Sequence, residues 1–163
     1  MKPFVIQTTG KLQTWTFEDR SEWDQGPWDN EPEDKMVWKD SNTGVVCMLH
    51  RNRSGVWCGY VGVEPTHPFF GIEYSDYETL SDLDAHGGLT FTSRCSSIEA
   101  DGSGICHPTD DDDHVWWFGF DTNHHLDAAP YNRFGSAGTY RTTEYVVTEV
   151  LDLAKQLKEH APN

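Results

Sequence analysis

Val45-Val46-Cys47-Met48-Leu49-His50-Arg51-Asn52-Arg53-Ser54-Gly55-Val56-Trp57-Cys58-Gly59-Tyr60-Val61-Gly62-Val63 decides the fold. Two runs rich in apolar residues, 45–50 and 56–63, flank a polar five-residue connection ending in Gly55, which is free to take the positive φ that hairpin turns need. Strand side chains alternate, so Val56, Cys58, Tyr60 and Gly62 share one face of the second arm, and Trp57, Gly59, Val61 and Val63 share the other. Apolar groups stand on both faces. The hairpin therefore belongs in the middle of a sheet that is covered on both sides.

Working outward, residues 36–39 read as a strand before the hairpin, and residues 89–93 and 114–121 as strands after it. In the last of these, His114, Trp116, Phe118 and Phe120 face one way and Val115, Trp117, Gly119 and Asp121 the other. Residues 4–6 and 12–17 are short β-like patches suited to a sheet edge. Residues 18–34 are acidic and broken by Pro27 and Pro32, which hold the residues before them extended, so this stretch reads as an ordered loop pinned by Trp23 and Trp28. The C-terminal segment is a helix. Thr142 or Thr143 caps it, Glu144 lies in its first turn, Val146, Val150, Leu153 and Leu157 form one apolar face, and Lys155, Lys158 and His160 lie toward its end. The expectation is a loop-rich α+β fold, an antiparallel sheet with a long C-terminal helix on one face. A chain of 163 residues fits one domain over 1–163, with 1–25 as an N-terminal extension joining the sheet.

A formal charge of −15, concentrated in residues 18–34, 73–84 and 99–113, repels phosphates and excludes direct nucleic-acid binding. It leaves solubility, attraction to a basic partner, or mimicry of a nucleic acid. No apolar run approaches the roughly 18 residues of a membrane span, and the first residues carry no secretory pattern, so the expected location is cytoplasmic. Cys47, Cys58, Cys95 and Cys106 allow two disulfides in an oxidising compartment, or thiols and metal thiolates in a reducing one.

Chemistry concentrates in residues 86–125, which hold five of the eight histidines and two of the four cysteines. Thiolate and imidazole are preferred zinc ligands, and Cys95, Cys106 and His107 share one loop, with His114, His124 or His125 available as a fourth. A Cys95–Cys106 disulfide is the competing reading. His86, beside Gly87-Gly88, is a base or a ligand, and Asp121 either orients an imidazole or caps the turn after its strand. Asp110-Asp111-Asp112-Asp113 lacks the spaced ligands of a calcium loop and reads as solvated. Arg51, Arg53, Arg94 and Arg133 are scarce cations that each balance local charge or, where they point into the aromatic region, clamp a phosphate or carboxylate. The expected pocket has His86 and Asp121 in catalytic roles and Cys95, Cys106, His107 and His125 as metal ligands, with zinc as the ion. It would bind, and as an enzyme hydrolyse, a small ligand, phosphorylated or not. The alternative is a non-enzymatic acidic interaction protein, a nucleic-acid mimic or inhibitor, engaging a basic host partner.

Gly26-Pro27-Trp28-Asp29-Asn30-Glu31-Pro32, His86-Gly87-Gly88-Leu89-Thr90-Phe91, Gly104-Ile105-Cys106-His107 and Trp116-Trp117-Phe118-Gly119-Phe120-Asp121 resemble motifs of a group of small uncharacterised bacteriophage and actinobacterial proteins. The resemblance runs from Gly26 to the C-terminal helix. It implies a phage or phage-derived origin, with the host cytoplasm as the setting, and it carries over no catalytic roles.

Overall fold

A computed structural model of the chain describes residues 5–95, 99, 101–107, 113–124, 126–131 and 138–162. Its strands are β1 (Gln13–Trp15), β2 (Lys35–Lys39), β3 (Val46–Arg51), β4 (Trp57–Val63), β5 (Phe91–Ser93) and β6 (Trp116–Asp121). They form one antiparallel sheet in the order β1-β2-β3-β4-β6-β5. The helix α1 (Thr143–Glu159) packs on β3 and β4, as the α+β reading requires.

The hairpin forms with Val46 opposite Gly62 and Arg51 opposite Trp57, and Gly55 takes φ 89° in its turn. Trp57, Val61 and Val63 face α1 together with Trp116, Phe118 and Phe120, while Cys58 and Tyr60 face the opposite side with Trp117. Gly59 lets the helix approach, because a Cβ there would stand 2.6 Å from Val150 and 2.5 Å from Phe120. Thr142 is the N-cap and accepts from the Tyr145 amide at 3.2 Å. Val146, Val150, Leu153 and Leu157 are fully buried, as their spacing predicts. That stripe is what ties the helix to the sheet, since a helix of this length draws most of its stability from an apolar face.

Arg51 balances local charge, paired with Glu31 and Asp34, and is not a ligand clamp. It belongs to β3 and is wholly buried, stacked 4.0 Å over the Trp57 ring. Its Nε donates to the Glu33 carbonyl, Nη1 to the Gly55 carbonyl and the Tyr140 hydroxyl, and Nη2 to the Glu31 carbonyl and Oε1. A guanidinium has five N–H donors, and all are engaged, so none is left for a phosphate. Glu31 completes the knot by accepting from Tyr140 and Trp57 on Oε1 and from the Thr143 amide at the start of α1 on Oε2. The 26–32 motif is thus a structural strut. It carries a short 3-10 turn (Pro27–Asn30) inside the stretch read as loop.

The other face of the sheet is covered by the segment 101–107. Lys35 holds it: the buried ammonium donates to the carbonyls of Gly102, Gly104 and Cys106 at 2.8, 2.8 and 2.9 Å, and lies 4.7 Å from the Trp15 ring. Edges differ slightly from expectation. Within the 4–6 patch, residue 4 lies outside the described residues and 5–6 form no strand. The last long strand begins at Trp116 because His114 takes φ 59°, which an extended strand does not allow. The N-terminal segment joins the sheet through β1. No described helix is long and apolar enough to cross a membrane.

Candidate metal centre

Three elements converge beyond the C-terminal end of β6. The strand ends at Asp121, whose Oδ1 accepts from the Asn123 amide at 3.0 Å while Oδ2 accepts from the Thr90 hydroxyl at 3.1 Å. The same Oδ1 lies 3.5 Å from His124 Nε2. Asp121 therefore caps the turn after its strand, with the His124 ring nearby. Three residues further on, Asp127 folds back and accepts from the His124 amide at 3.0 Å, and its Oδ1 takes the Arg141 Nε–H at 2.8 Å. A bridge between Asp127 and Thr139 fixes the segment just ahead of α1.

His86 enters from the opposite side on a tight turn closed by Gly88 N–H to the Ala85 carbonyl at 2.8 Å. Its Nε2 stands 2.9 Å from Asp127 Oδ2, and its Nδ1 stands 2.7 Å from the Tyr145 hydroxyl. Tyr145 lies in the first turn of α1 and also donates to Glu149, one turn on, at 3.2 Å. His124 Nδ1 is 3.1 Å from the same Asp127 Oδ2. Gly87, at φ 70°, is where the backbone passes against the His124 ring, and a Cβ at that position would collide with the imidazole. His86, His124 and Asp127 thus present ligand atoms that all lie within 4.8 Å of one another.

The electrostatics follow from burial and partners. Asp127 is 1% exposed, and burial works against its charge. Hydrogen bonds from Arg141, His86 and both the amide and ring of His124 outweigh burial and hold the carboxyl well below its usual range. The anion is permanent at physiological pH. Tyr145 is pushed the other way, by burial and then by the Glu149 charge, so its phenol keeps its proton. His124 is 35% exposed against 13% for His86, so the cluster opens to solvent on the His124 side.

The residues expected to gather do not all do so. Cys95 and Cys106 are joined as a disulfide with Cα atoms 4.6 Å apart. The expected thiolate ligands are corrected by that bond, since a disulfide has no thiolate to offer. Only on reduction would their sulfurs and the Asp113 carboxylate become a second group of candidate ligands. His107 turns away from both sulfurs to hydrogen-bond the Gln13 side chain, and its amide donates to Asp113 at 2.9 Å. His125 lies outside the described residues, as do Asp110, Asp111, Asp112 and Arg133. Asp127, Arg141 and Tyr145 were not singled out from sequence. The available signals were the three-residue step from His124 to Asp127 and the Tyr145/Glu149 pair at helical spacing.

A cleft of about 260 Å³, lined by Asn52, Tyr60, Thr90, Phe91, Asp121 and Asn123 among others, adjoins the cluster through Asp121. A larger cavity of about 520 Å³ lies at the far end of the sheet, beside Lys39, Val63, His107 and Lys158, and touches none of the three converging residues. Compared with protein-family models, with curated proteins and with solved structures, the chain matches none of them.

Proposed function

We propose that His86 Nε2, His124 Nδ1 and Asp127 Oδ2 hold a divalent metal ion, with zinc among the ions that take two imidazoles and a carboxylate, and that a small ligand is bound and hydrolysed at the ion's open position. One observation carries the reading: three donor atoms lie within 4.8 Å of one another while the remote nitrogen of each imidazole faces its own partner. Metal-bound histidines ordinarily hand that remote N–H to a carboxylate or another acceptor, which fixes the tautomer. With an ion on Nε2, His86 Nδ1–H donates to Tyr145 and the phenol donates on to Glu149. His124 Nε2–H points to Asp121.

Among the described residues the cluster supplies three ligands, a number that favours catalysis over scaffolding. Structural zinc is closed by four protein ligands, whereas catalytic zinc keeps three and leaves one position for water, at bond lengths of about 2.0–2.2 Å. Arg141 occupies Asp127 Oδ1, so the carboxylate serves through one oxygen. An ion held by these residues would supply a bound water acidified toward neutrality, the chemistry that hydrolysis of an ester, amide or phosphoester bond needs. In this scheme His86 is a ligand, Asp121 positions His124, and Tyr145 positions His86. The motif resemblance adds the proposal of a phage or phage-derived origin in a host cytoplasm.

The test is chelator treatment of the full chain followed by calorimetric titration with zinc sulfate. One ion per chain and a raised thermal midpoint are expected. His124→Ala and Asp127→Asn should each weaken binding by about tenfold or more, with circular dichroism confirming the fold, while Cys95→Ser/Cys106→Ser leaves uptake unchanged. Absence of stoichiometric uptake, or equal uptake by a His124→Ala/Asp127→Asn variant, overturns the proposal.

A further inference from the structure

We infer a second metal site, at the other end of β6 from the first and opened by reduction. Once the Cys95–Cys106 bond is cleaved, the two sulfurs and the Asp113 carboxylate take a thiophilic divalent ion of the zinc class. The three residues already stand together in the disulfide form, with their ligand atoms all within 4.8 Å of one another.

Neighbouring strands deliver two of the ligands. Ser93 pairs with Trp117, so Cys95, two residues past the end of β5, and Asp113, three residues ahead of β6, leave the sheet side by side. The Asp113 amide donates to Cys95 Sγ at 3.3 Å. Its carboxylate is held in turn: Oδ2 accepts from the His107 amide at 2.9 Å and from Trp117 Nε1 at 2.8 Å, and Oδ1 accepts from the Val115 amide at 3.1 Å. A carboxylate has about four lone-pair sites. The described donors use three, which leaves Oδ1 room for an ion, and ligating carboxylates are ordinarily fixed by outer donors of this kind.

Cys106 keeps its place without the covalent partner. Lys35 clamps the segment 101–107 through three carbonyls, that of Cys106 among them, and His50 Nε2 stands 2.6 Å from the Ser103 carbonyl. Reduction therefore frees the sulfurs without freeing the strap. The half-buried Cys95 sulfur is the one a dithiol reaches, since Cys106 is 1% exposed. The dithiol passes two electrons and two protons to the disulfide and itself closes to a disulfide, and the incoming ion then displaces the two thiol protons. Charge selects the occupant. Two thiolates and a carboxylate carry three negative charges, against which stands the Lys35 ammonium, itself stabilised by Asp113. A dication completes the balance, and thiolate ligands favour zinc over magnesium or calcium. The cavity of about 520 Å³ has Asp113 and His107 in its wall, so the ion and a solvent ligand have a way in.

The test is titration of the full chain with cobalt(II) chloride after reduction by dithiothreitol and desalting under nitrogen, read by the near-ultraviolet thiolate-to-cobalt charge-transfer band. The cluster of His86, His124 and Asp127 contains no sulfur, so the band reports this site whatever happens at the first. The reduced chain should develop the band and lose it to zinc sulfate, and the oxidised chain should show none. Asp113→Asn and Cys106→Ser should each weaken cobalt binding by about tenfold or more. Cys106→Ser retains Cys47 and Cys58, the other two thiols, and set beside the reduced parent it lacks no crosslink, so it remains informative if Asp113→Asn loosens the loop. The inference is overturned if the reduced chain gives no band, if the oxidised chain gives the same band, or if Cys106→Ser or a folded Asp113→Asn protein keeps full affinity.

Discussion

Replacing Lys35 with methionine sets two large and opposed effects against each other. The ammonium donates to three backbone carbonyls at 2.8–2.9 Å in a site with no solvent exposure. A hydrogen bond from a charged donor contributes about 1.5–3 kcal/mol, and a buried carbonyl left without one loses about 1–3 kcal/mol. Methionine has similar length and no donor, so it forfeits all three bonds. Against this stands desolvation. Burial pulls the Lys35 pKa from 10.5 to about 8, with Asp113 and Asp101 pulling back, which corresponds to about 3 kcal/mol held against the charged form. Methionine escapes that penalty. Three bonds outweigh it, so Lys35→Met should lose about 2–5 kcal/mol near neutral pH, read from urea unfolding midpoints. Cleavage within 101–107 under limited proteolysis should accelerate. The pH dependence has a definite sign. The native pKa lies below the unfolded one, so below about pH 8 both states are charged and the penalty is fully present. Between about 8 and 10.5 the unfolded chain binds more protons, and native stability gains as pH rises. Wild-type stability measured relative to Lys35→Met should therefore climb across that window, with the Tyr and Cys titrations common to both proteins cancelling. A Lys35→Met protein as stable as wild type near neutrality, or a difference that stays flat or falls across the window, refutes the reasoning.

Gly87→Ala forces a side chain into a φ 70° backbone and against the His124 ring. It should cost about 1–2 kcal/mol in thermal unfolding and weaken zinc uptake more than an alanine at Gly88, where the space is open. The Cys95–Cys106 bond spans a sequence separation of 11, so Cys95→Ser/Cys106→Ser should lose about 2–3 kcal/mol. Thiol titration of the denatured, unreduced chain should count two thiols, Cys47 and Cys58, and a count of four would show the bond unformed. Gly59→Ala should lose about 1–3 kcal/mol by pushing α1 off the sheet, and pairing it with Val150→Ala should recover part of the loss. Strict additivity of the two would disprove the close approach.

The parts of the fold that were legible are those specified by local periodicity. Alternation in residues 56–63 assigns Trp57 and Val61 to one face and Cys58 and Tyr60 to the other, because a strand's pleat admits no other arrangement. Helical spacing does the same for Val146 to Leu157. The polar machinery obeys no such rule. His86 and Asp121 stand out beside a Gly-Gly turn and at a strand end, yet the groups that complete the cluster are 41 and 59 residues from His86. Lys35 was not singled out from sequence, and Arg51 stood out only as a scarce cation. Carbonyls 67–71 residues away make Lys35 an interior clamp, and nothing local to it announces them.

The same distinction explains why the Cys95–His107 loop and the histidines after Asp121 form separate sites. In sequence they look like one cluster, since all lie within residues 86–125. Between them runs β6, and an extended chain advances about 3.3 Å per residue. Six residues therefore carry the backbone roughly 16–20 Å from one end of the sheet to the other, much farther than any two ligands of one ion can stand apart. Asp113 is left beside the disulfide under Lys35, and Asp121 is delivered to His124. A shared metal would require β6 to be a loop. The apolar run Trp116-Trp117-Phe118 rules that out, because Trp117 and Phe118 are fully buried on opposite faces of the sheet. The residues that make this stretch a central strand are thus the ones that divide the histidine-rich segment into a covalently stapled end and an open end where His124 meets His86 and Asp127.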